Sequence, residues 1–318
     1  MHRALCLVFC ALLAGGAGAQ PYPSKPVRIV VPASPGGASD LVGRLLATQL
    51  SEMLGQPFIV ENRVTSGGIV GTQQVAESAP DGHTLLVTFD TFASNALLFK
   101  NLKWDPIRDF APVMQLCRYP QVLLVHPSLG VRTVKEFVAL AKERGPQLNY
   151  ASAGPASSSR LAYELFKDVA GIDTVPVHYK GGGPAIQDLL PGRVPLVSTV
   201  VTETLPYIRS GKVKPIAVTG SKRSPSLPDV PAVGETLPKA PSGTALWALL
   251  ARAGTPDALI NLLNADVVKA LQSADVRERM SQMDVEPVGS SPARCDAFLR
   301  EQVAVWGKLV KASGARVE

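Results

Sequence analysis

Three times in this chain a short apolar run stops at a glycine-bearing loop, and apolar residues at helical spacing begin directly behind it. Val27–Val31 runs into Pro32-Ala33-Ser34-Pro35-Gly36-Gly37, which cannot continue a strand. Leu41, Val42, Leu45, Leu46, Leu50, Met53 and Leu54 then repeat on one helix face. Leu148–Ala151 runs into Ser152–Ser159, followed by Leu161, Leu165, Phe166 and Val169. Val175–Val177 leads to Lys180-Gly181-Gly182-Gly183-Pro184 and a helix over Ala185–Leu190. A strand that feeds a helix through a short loop returns parallel to itself, so the helices must lie over the faces of a sheet.

The same alternation fills the intervals. Phe58–Val60 and Leu85–Thr88 read as strands, with helices over Ala38–Leu54 and Ile69–Ala76. The pattern restarts at Val122–Val125 and continues through a helix from Val134 to strands at Val194–Ser198 and Ile216–Val218. Ser221 to Pro241 is rich in Pro, Ser and charge and reads as a long surface connection. A strand at Ala245–Leu250 and two amphipathic helices close the chain. The expected fold is α/β, with a parallel-dominated mixed sheet in each of two blocks.

Hydrophobic residues are 46% of 318, enough for more than one core. The net charge of +6 is spread along the chain, without a basic run or zinc-finger spacing, which argues against a nucleic-acid partner. Residues 1–19 carry Arg3, a short apolar stretch over Ala4–Leu13 and the small-x-small site Ala17-Gly18-Ala19. This is the pattern of a cleaved signal peptide, too short to span a bilayer. Export is therefore expected, to the periplasm, with a soluble mature chain. Cys117 and Cys295 remain after cleavage. They form either one disulfide or two buried thiols, and the second reading is preferred.

Each glycine loop presents backbone N–H groups at the positive end of a helix, a ready receptor for carboxylate or phosphate. No nucleophile elbow, phosphate loop or metal-ligand spacing accompanies them, so no metal or cofactor is expected. An exported α/β chain with three anion-receiving loops and no nucleophile motif reads as a binder rather than an enzyme.

Ordered stretches along the chain carry a family resemblance. They include Tyr22-Pro23-Ser24-Lys25-Pro26, Pro35-Gly36-Gly37-Ala38-Ser39-Asp40, Val60-Glu61-Asn62-Arg63 and Pro80-Asp81-Gly82-His83. Trp104-Asp105-Pro106, Tyr150-Ala151-Ser152-Ala153-Gly154, Tyr179-Lys180-Gly181 and Leu227-Pro228-Asp229-Val230-Pro231 continue the series. In this order the chain resembles the Bug-type extracytoplasmic solute receptors of tripartite tricarboxylate transport systems. The resemblance implies a type II, Venus-flytrap binding protein of two domains joined by a two-crossing hinge. It is expected to be monomeric and to deliver a small carboxylate to one large and one small integral membrane subunit. The expected domains are 22–121 plus 220–318, and 122–219.

Carried over residue by residue, the first loop gives Ala33, Ser34, Pro35, Gly36, Gly37, Ser39 and Asp40 as ligand contacts. The second gives Ser152, Gly154, Ser157, Ser158 and Ser159, and the third Gly181, Gly182 and Gly183. Asp90 and Thr91 are added from the end of the strand at 85–88. The chain departs from the family at Phe89-Asp90-Thr91-Phe92, at Val64–Gly68, at Arg160 and at Arg193–Thr199, where an aspartate after an apolar-Phe pair is usual. Asp90 either meets a ligand amino group or Arg160, or caps the next helix. Arg160 either forks onto a second ligand carboxylate or lies along the helix surface. Lys180 is expected at the rim. Phe92 and Trp247 either wall the ligand or belong to the core. Two rival functions remain: signalling to a sensor kinase, and hydrolysis at an unrecognised site.

Overall fold

The computed structural model describes residues 22–33, 35–36, 38–64, 68–89, 91–99, 101–154, 157–179, 181–219, 222–238 and 245–313. The expected signal peptide lies outside the described residues, as do Ser34, Gly37, Asp90 and Lys180; of Thr91 only the backbone is described.

In chain order the first stretch runs β1 (Val27–Val31), α1 (Ala38–Leu54), β2 (Phe58–Asn62), α2 (Ile69–Ala76), β3 (Thr84–Thr88), α3 (Thr91–Leu98) and β4 (Phe110–Tyr119). The middle runs β5 (Gln121–Val125), α4 (Val134–Arg144), β6 (Asn149–Ser152), α5 (Ser158–Ala170), β7 (Val175–His178) and α6 (Gly182–Leu189). It continues with β8 (Leu196–Val200), α7 (Val201–Arg209), β9 (Lys214–Val218) and the single turn α8 (Val233–Thr236). The chain closes with β10 (Ala245–Arg252), α9 (Asp257–Gln272), α10 (Ala274–Gln282), β11 (Glu286–Pro287) and α11 (Pro292–Ser313).

Two sheets result. The first has the order β11-β4-β10-β3-β1-β2 and the second β7-β6-β8-β5-β9. β1 pairs parallel with β2 and β3, while β10 runs antiparallel between β3 and β4. In the second sheet β6 is parallel to β7 and β8, and β5 alone runs against its neighbours. Proline marks where backbone donors go unused. Pro176 lies on edge strand β7 and Pro215 on edge strand β9. Pro112 of β4 falls outside the short reach of β11, which pairs only with Arg118 and Cys117.

Each sheet is covered on both faces. One core of the first sheet packs β1, β3, β4 and β10 against α1, α9 and α10, through Val42, Leu46, Leu50, Ile260, Leu263 and Val267. The opposite face packs Val30, Leu86 and Leu250 against α2, α3 and α11. The second sheet divides likewise, with α4 and α5 on one face and α6 and α7 on the other. Cys117 belongs to one face of the first sheet and Cys295 to the other, and both are buried free thiols.

The chain first crosses between the sheets at Pro120, between the end of β4 at Tyr119 and the start of β5 at Gln121. The second crossing differs from expectation. Residue 220 was to return the chain to the first unit, but Leu227, Val230 and Ala232 pack in the second unit's core with Val122, Leu124 and Val218. Val233 packs on the other face of that sheet, and Ala232 bridges Val218 in parallel. Burying each of Leu227, Val230 and Val233 is worth ~1.5–3 kcal/mol, enough to hold a proline-rich stretch on the sheet. The segment 222–238 is thus an extension of the second unit, and the chain is back in the first sheet at Ala245.

Candidate functional site

The strand directions put the C-terminal ends of β1, β3, β6, β7 and β8 at the boundary between the units. Val200, at the end of β8, packs on the first unit's core, which Ala33 and Phe89 also flank. Leu161 and Leu165 of α5 pack with Ala93 of α3 and Trp306 of α11. Thr202 Oγ1 donates to the Met283 carbonyl across the boundary at 2.7 Å. In open α/β sheets this carboxyl edge is where ligands bind.

The first loop is held by an internal brace. Asp40, 1% exposed in the first turn of α1, accepts from the Gly36 N–H at 2.8 Å, from Arg44 Nε at 3.0 Å and from Asn62 Nδ2 at 2.9 Å. Asn62 Nδ2 also donates to the Ala33 carbonyl, and Arg44 Nη2 donates to Asn62 Oδ1. Burial alone would raise the Asp40 pKa, but the hydrogen bonds from Arg44, Gly36 and Asn62 outweigh it and hold the carboxyl below its usual range. Gly36 has φ 78, a left-handed backbone suited to glycine, and nothing stands near the position of its missing side chain. Its N–H is committed to Asp40. Among the described residues, the donors that remain are those of the first turn of α1, beside buried Ser39.

The second loop uses its serines on itself. Ser157 caps α5, accepting from the Arg160 N–H at 3.3 Å and donating to the Gly154 carbonyl at 2.7 Å. Ser159 Oγ accepts from the Ala153 N–H at 3.0 Å. Ser158 Oγ accepts from Gln121 Nε2 at 3.0 Å, which leaves its own proton to donate elsewhere. Ser152 is fully buried and bonds His178 Nδ1 at 2.9 Å. Burial and the charge of Arg160 lower the His178 pKa, with Glu164 opposing, so the ring is neutral at physiological pH.

The third loop is stitched to the second: the Tyr179 N–H donates to the Ser152 carbonyl and the Gly181 N–H to that of Ala153. Gly181, at φ 124, opens α6. Gly182 is buried, and a Cβ there would collide with the Glu203 carboxylate and the Thr199 hydroxyl. Gly183 is open to solvent.

The two candidate wall residues are core. Phe92 stacks on Trp104 with ring centroids 5.3 Å apart, and Trp247 lies against Tyr119 at 4.3 Å; both are under 5% exposed. Arg160 is half-buried in the first turn of α5. Gln121, His178 and Glu203 join this edge without any local motif to announce them. Only the register of β5 on β8, the pairing of β6 with β7, and the fold of α7 over α6 bring them there. Among the described residues no group of three or more His, Cys, Asp or Glu is placed to hold a metal ion.

Residues 42–315 match the model of the tripartite tricarboxylate transporter family receptor. The chain is 32% identical to protein BugT of Bordetella pertussis over 308 residues, covering 96% of this chain and 94% of that one. It is similar to MatC from Rhodopseudomonas palustris, solved with bound malate, at 34% identity and TM-score 0.76, covering 91% of this chain and all of that one. A second R. palustris protein, solved with adipate, has TM-score 0.81 at 32% identity, covering 93% of this chain and all of that one.

Proposed function

The chain belongs to the tripartite tricarboxylate transporter receptor family, and from that premise we propose that it captures a small carboxylate between its two units and presents it to the large and small integral subunits of such a transporter. The supporting observation is the braced first loop. Asp40, Arg44 and Asn62 hold it in shape before any ligand arrives, so the N–H groups of the first turn of α1 are aimed in advance. In this reading Ser34, Gly36, Gly37 and Ser39 surround one ligand carboxylate, Asp40 positions them, and Ala33 and Pro35 shape the loop. Gly154 and Ser158 receive the ligand from the second unit together with Gly181, Gly182 and Gly183, while Ser152, Ser157 and Ser159 build that receptor. Asp90 and Thr91 are further ligand contacts in this reading. The malate and adipate bound by two relatives are acids of this class.

We also place the chain outside the enzymes. Ser152 and His178 form a serine–histidine pair, but the serine is 0% exposed and a substrate carbonyl has no approach to it. Residues 1–19 act as the export signal in this reading. Among the described residues no helix is long and apolar enough to cross a membrane.

A thermal-shift screen of the purified protein against malate, succinate, adipate and citrate tests the reading. A ligand at 100 times its dissociation constant adds ~2.7 kcal/mol and should raise the melting temperature by a few degrees. A flat response to small carboxylates of every charge and length removes the capture proposal.

A further inference from the structure

Glu203 puts a carboxylate at the unit boundary that the protein leaves nearly without donors. It lies in the first turn of α7, directly behind β8. The Gly182 contact fixes its place, because Gly182 begins α6 behind the third loop and Thr199 is at the end of β8. The carboxylate therefore sits over the C-terminal edge of the second sheet, between two strand ends. The residues beside it reach the first unit: Thr202 bonds the Met283 carbonyl and Val200 packs on that unit's core.

Its hydrogen bonding is thin. The Thr199 hydroxyl donates at 3.4 Å, near the outer limit, and among the described residues no cation forms an ion pair with it. Partial withdrawal of the carboxylate from water raises its pKa, and the Thr199 bond opposes this only in part. At the same sheet edge the Oε1 atom of Gln121 is buried with no hydrogen-bond partner among the described residues. This rim thus offers acceptors, while the glycine loops beside it offer donors. A ligand that satisfies both carries a carboxylate and an ammonium group. A plain dicarboxylate would set a second negative charge against Glu203, whereas an ammonium would form a charge-assisted bond with it.

Resting on the carboxylate-capture reading, we propose that Glu203 is the specificity-determining contact of the cleft and receives an ammonium group of the ligand, so that amino acids and other amino-bearing acids are favoured over plain dicarboxylates. Its side chain is accessible and bears no ion pair, so Glu203→Gln should leave the fold intact, checked by an unchanged melting temperature of the free variant.

The experiment is titration calorimetry of the full protein with matched acids: succinate and L-aspartate, glutarate and L-glutamate, butyrate and 4-aminobutyrate. At least one amino-bearing acid should bind about tenfold more tightly than its plain partner. E203Q should abolish that advantage by weakening the amino-bearing acid about tenfold, while succinate and glutarate, relieved of the facing charge, bind at least as tightly as before. Binding of the plain acids alone, or an equal loss for both members of a pair in E203Q, overturns the Glu203 assignment and leaves carboxylate capture standing. Binding of no member of any pair while malate, adipate or citrate binds overturns the Glu203 assignment alone; silence from those three as well overturns capture itself, and this proposal with it.

Discussion

Asp40 shows how a residue's type can be legible while its role is not. The sequence placed it beside the ligand; its carboxylate is spent on Gly36, Arg44 and Asn62. The relation to Asn62 crosses 22 residues and exists only because β2 pairs in register with β1, which sets Asn62 beside Val31. Asp40→Asn keeps the shape and removes the charge. It should cost about 1.5–3 kcal/mol, the range for a hydrogen bond to a charged group, and loosen the loop enough to weaken carboxylate binding. Its pH dependence has a definite sign. A carboxyl depressed below its unfolded value near 3.8 contributes stability above that pH and loses it as pH falls through the lower folded value. Wild type should therefore lose stability more steeply than D40N below about pH 4, as read from acid titration of the melting temperature. Parallel acid limbs would show that the brace is not held by charge.

At the scale of elements, the periodic segments were readable and the exceptions have causes. α2 occupies the expected residues, and β1, β5 and α1 match their apolar patterns. β4 went unread because Pro112, Gln115 and Arg118 interrupt its apolar run; it is a strand because β10 pairs with it along its length. α7 contains Pro206, which local chemistry marks as a breaker. The stretch 222–238 looked like a surface connection because its four prolines and its charges hide a few apolar residues. Leu227 and Val230 are each under 9% exposed, so replacing both with alanine should destabilise the second unit by about 2–5 kcal/mol. Chemical denaturation measures this, and a loss below about 0.5 kcal/mol, the level of a surface change, would return the segment to the status of a linker.

For the whole molecule the question is what moves when ligand enters. Pro120 joins the units, and Ser224 donates to the buried Asp284 carboxylate across the boundary. Trp306 is buried where α11 and α3 meet α5, whereas Trp104 and Trp247 lie in the two cores of the first unit. Closure by rotation about the hinge would change the surroundings of Trp306 and leave the other two alone. Ligand should therefore shift the tryptophan fluorescence of the parent and of Trp104→Phe, and the shift should vanish in Trp306→Phe. A shift that survives in W306F would mean that closure does not run through this contact.

Local sequence determined the αβ alternation, the three glycine loops and the thiols' preference for the interior. Each follows from side-chain periodicity, from backbone sterics or from the small, weakly polar character of a thiol. Only the tertiary structure decided which loop atoms are free. It committed the Gly36 N–H to Asp40, turned Ser157 and Ser159 onto the loop's own backbone, and sent Phe92 and Trp247 into the cores. It also brought Glu203 against Gly182, across 20 residues of intervening chain. The reason is physical: periodicity tells a residue which face it occupies, but hydrogen-bond partners and charge neighbours are set by strand register and helix packing, which join residues far apart in the chain.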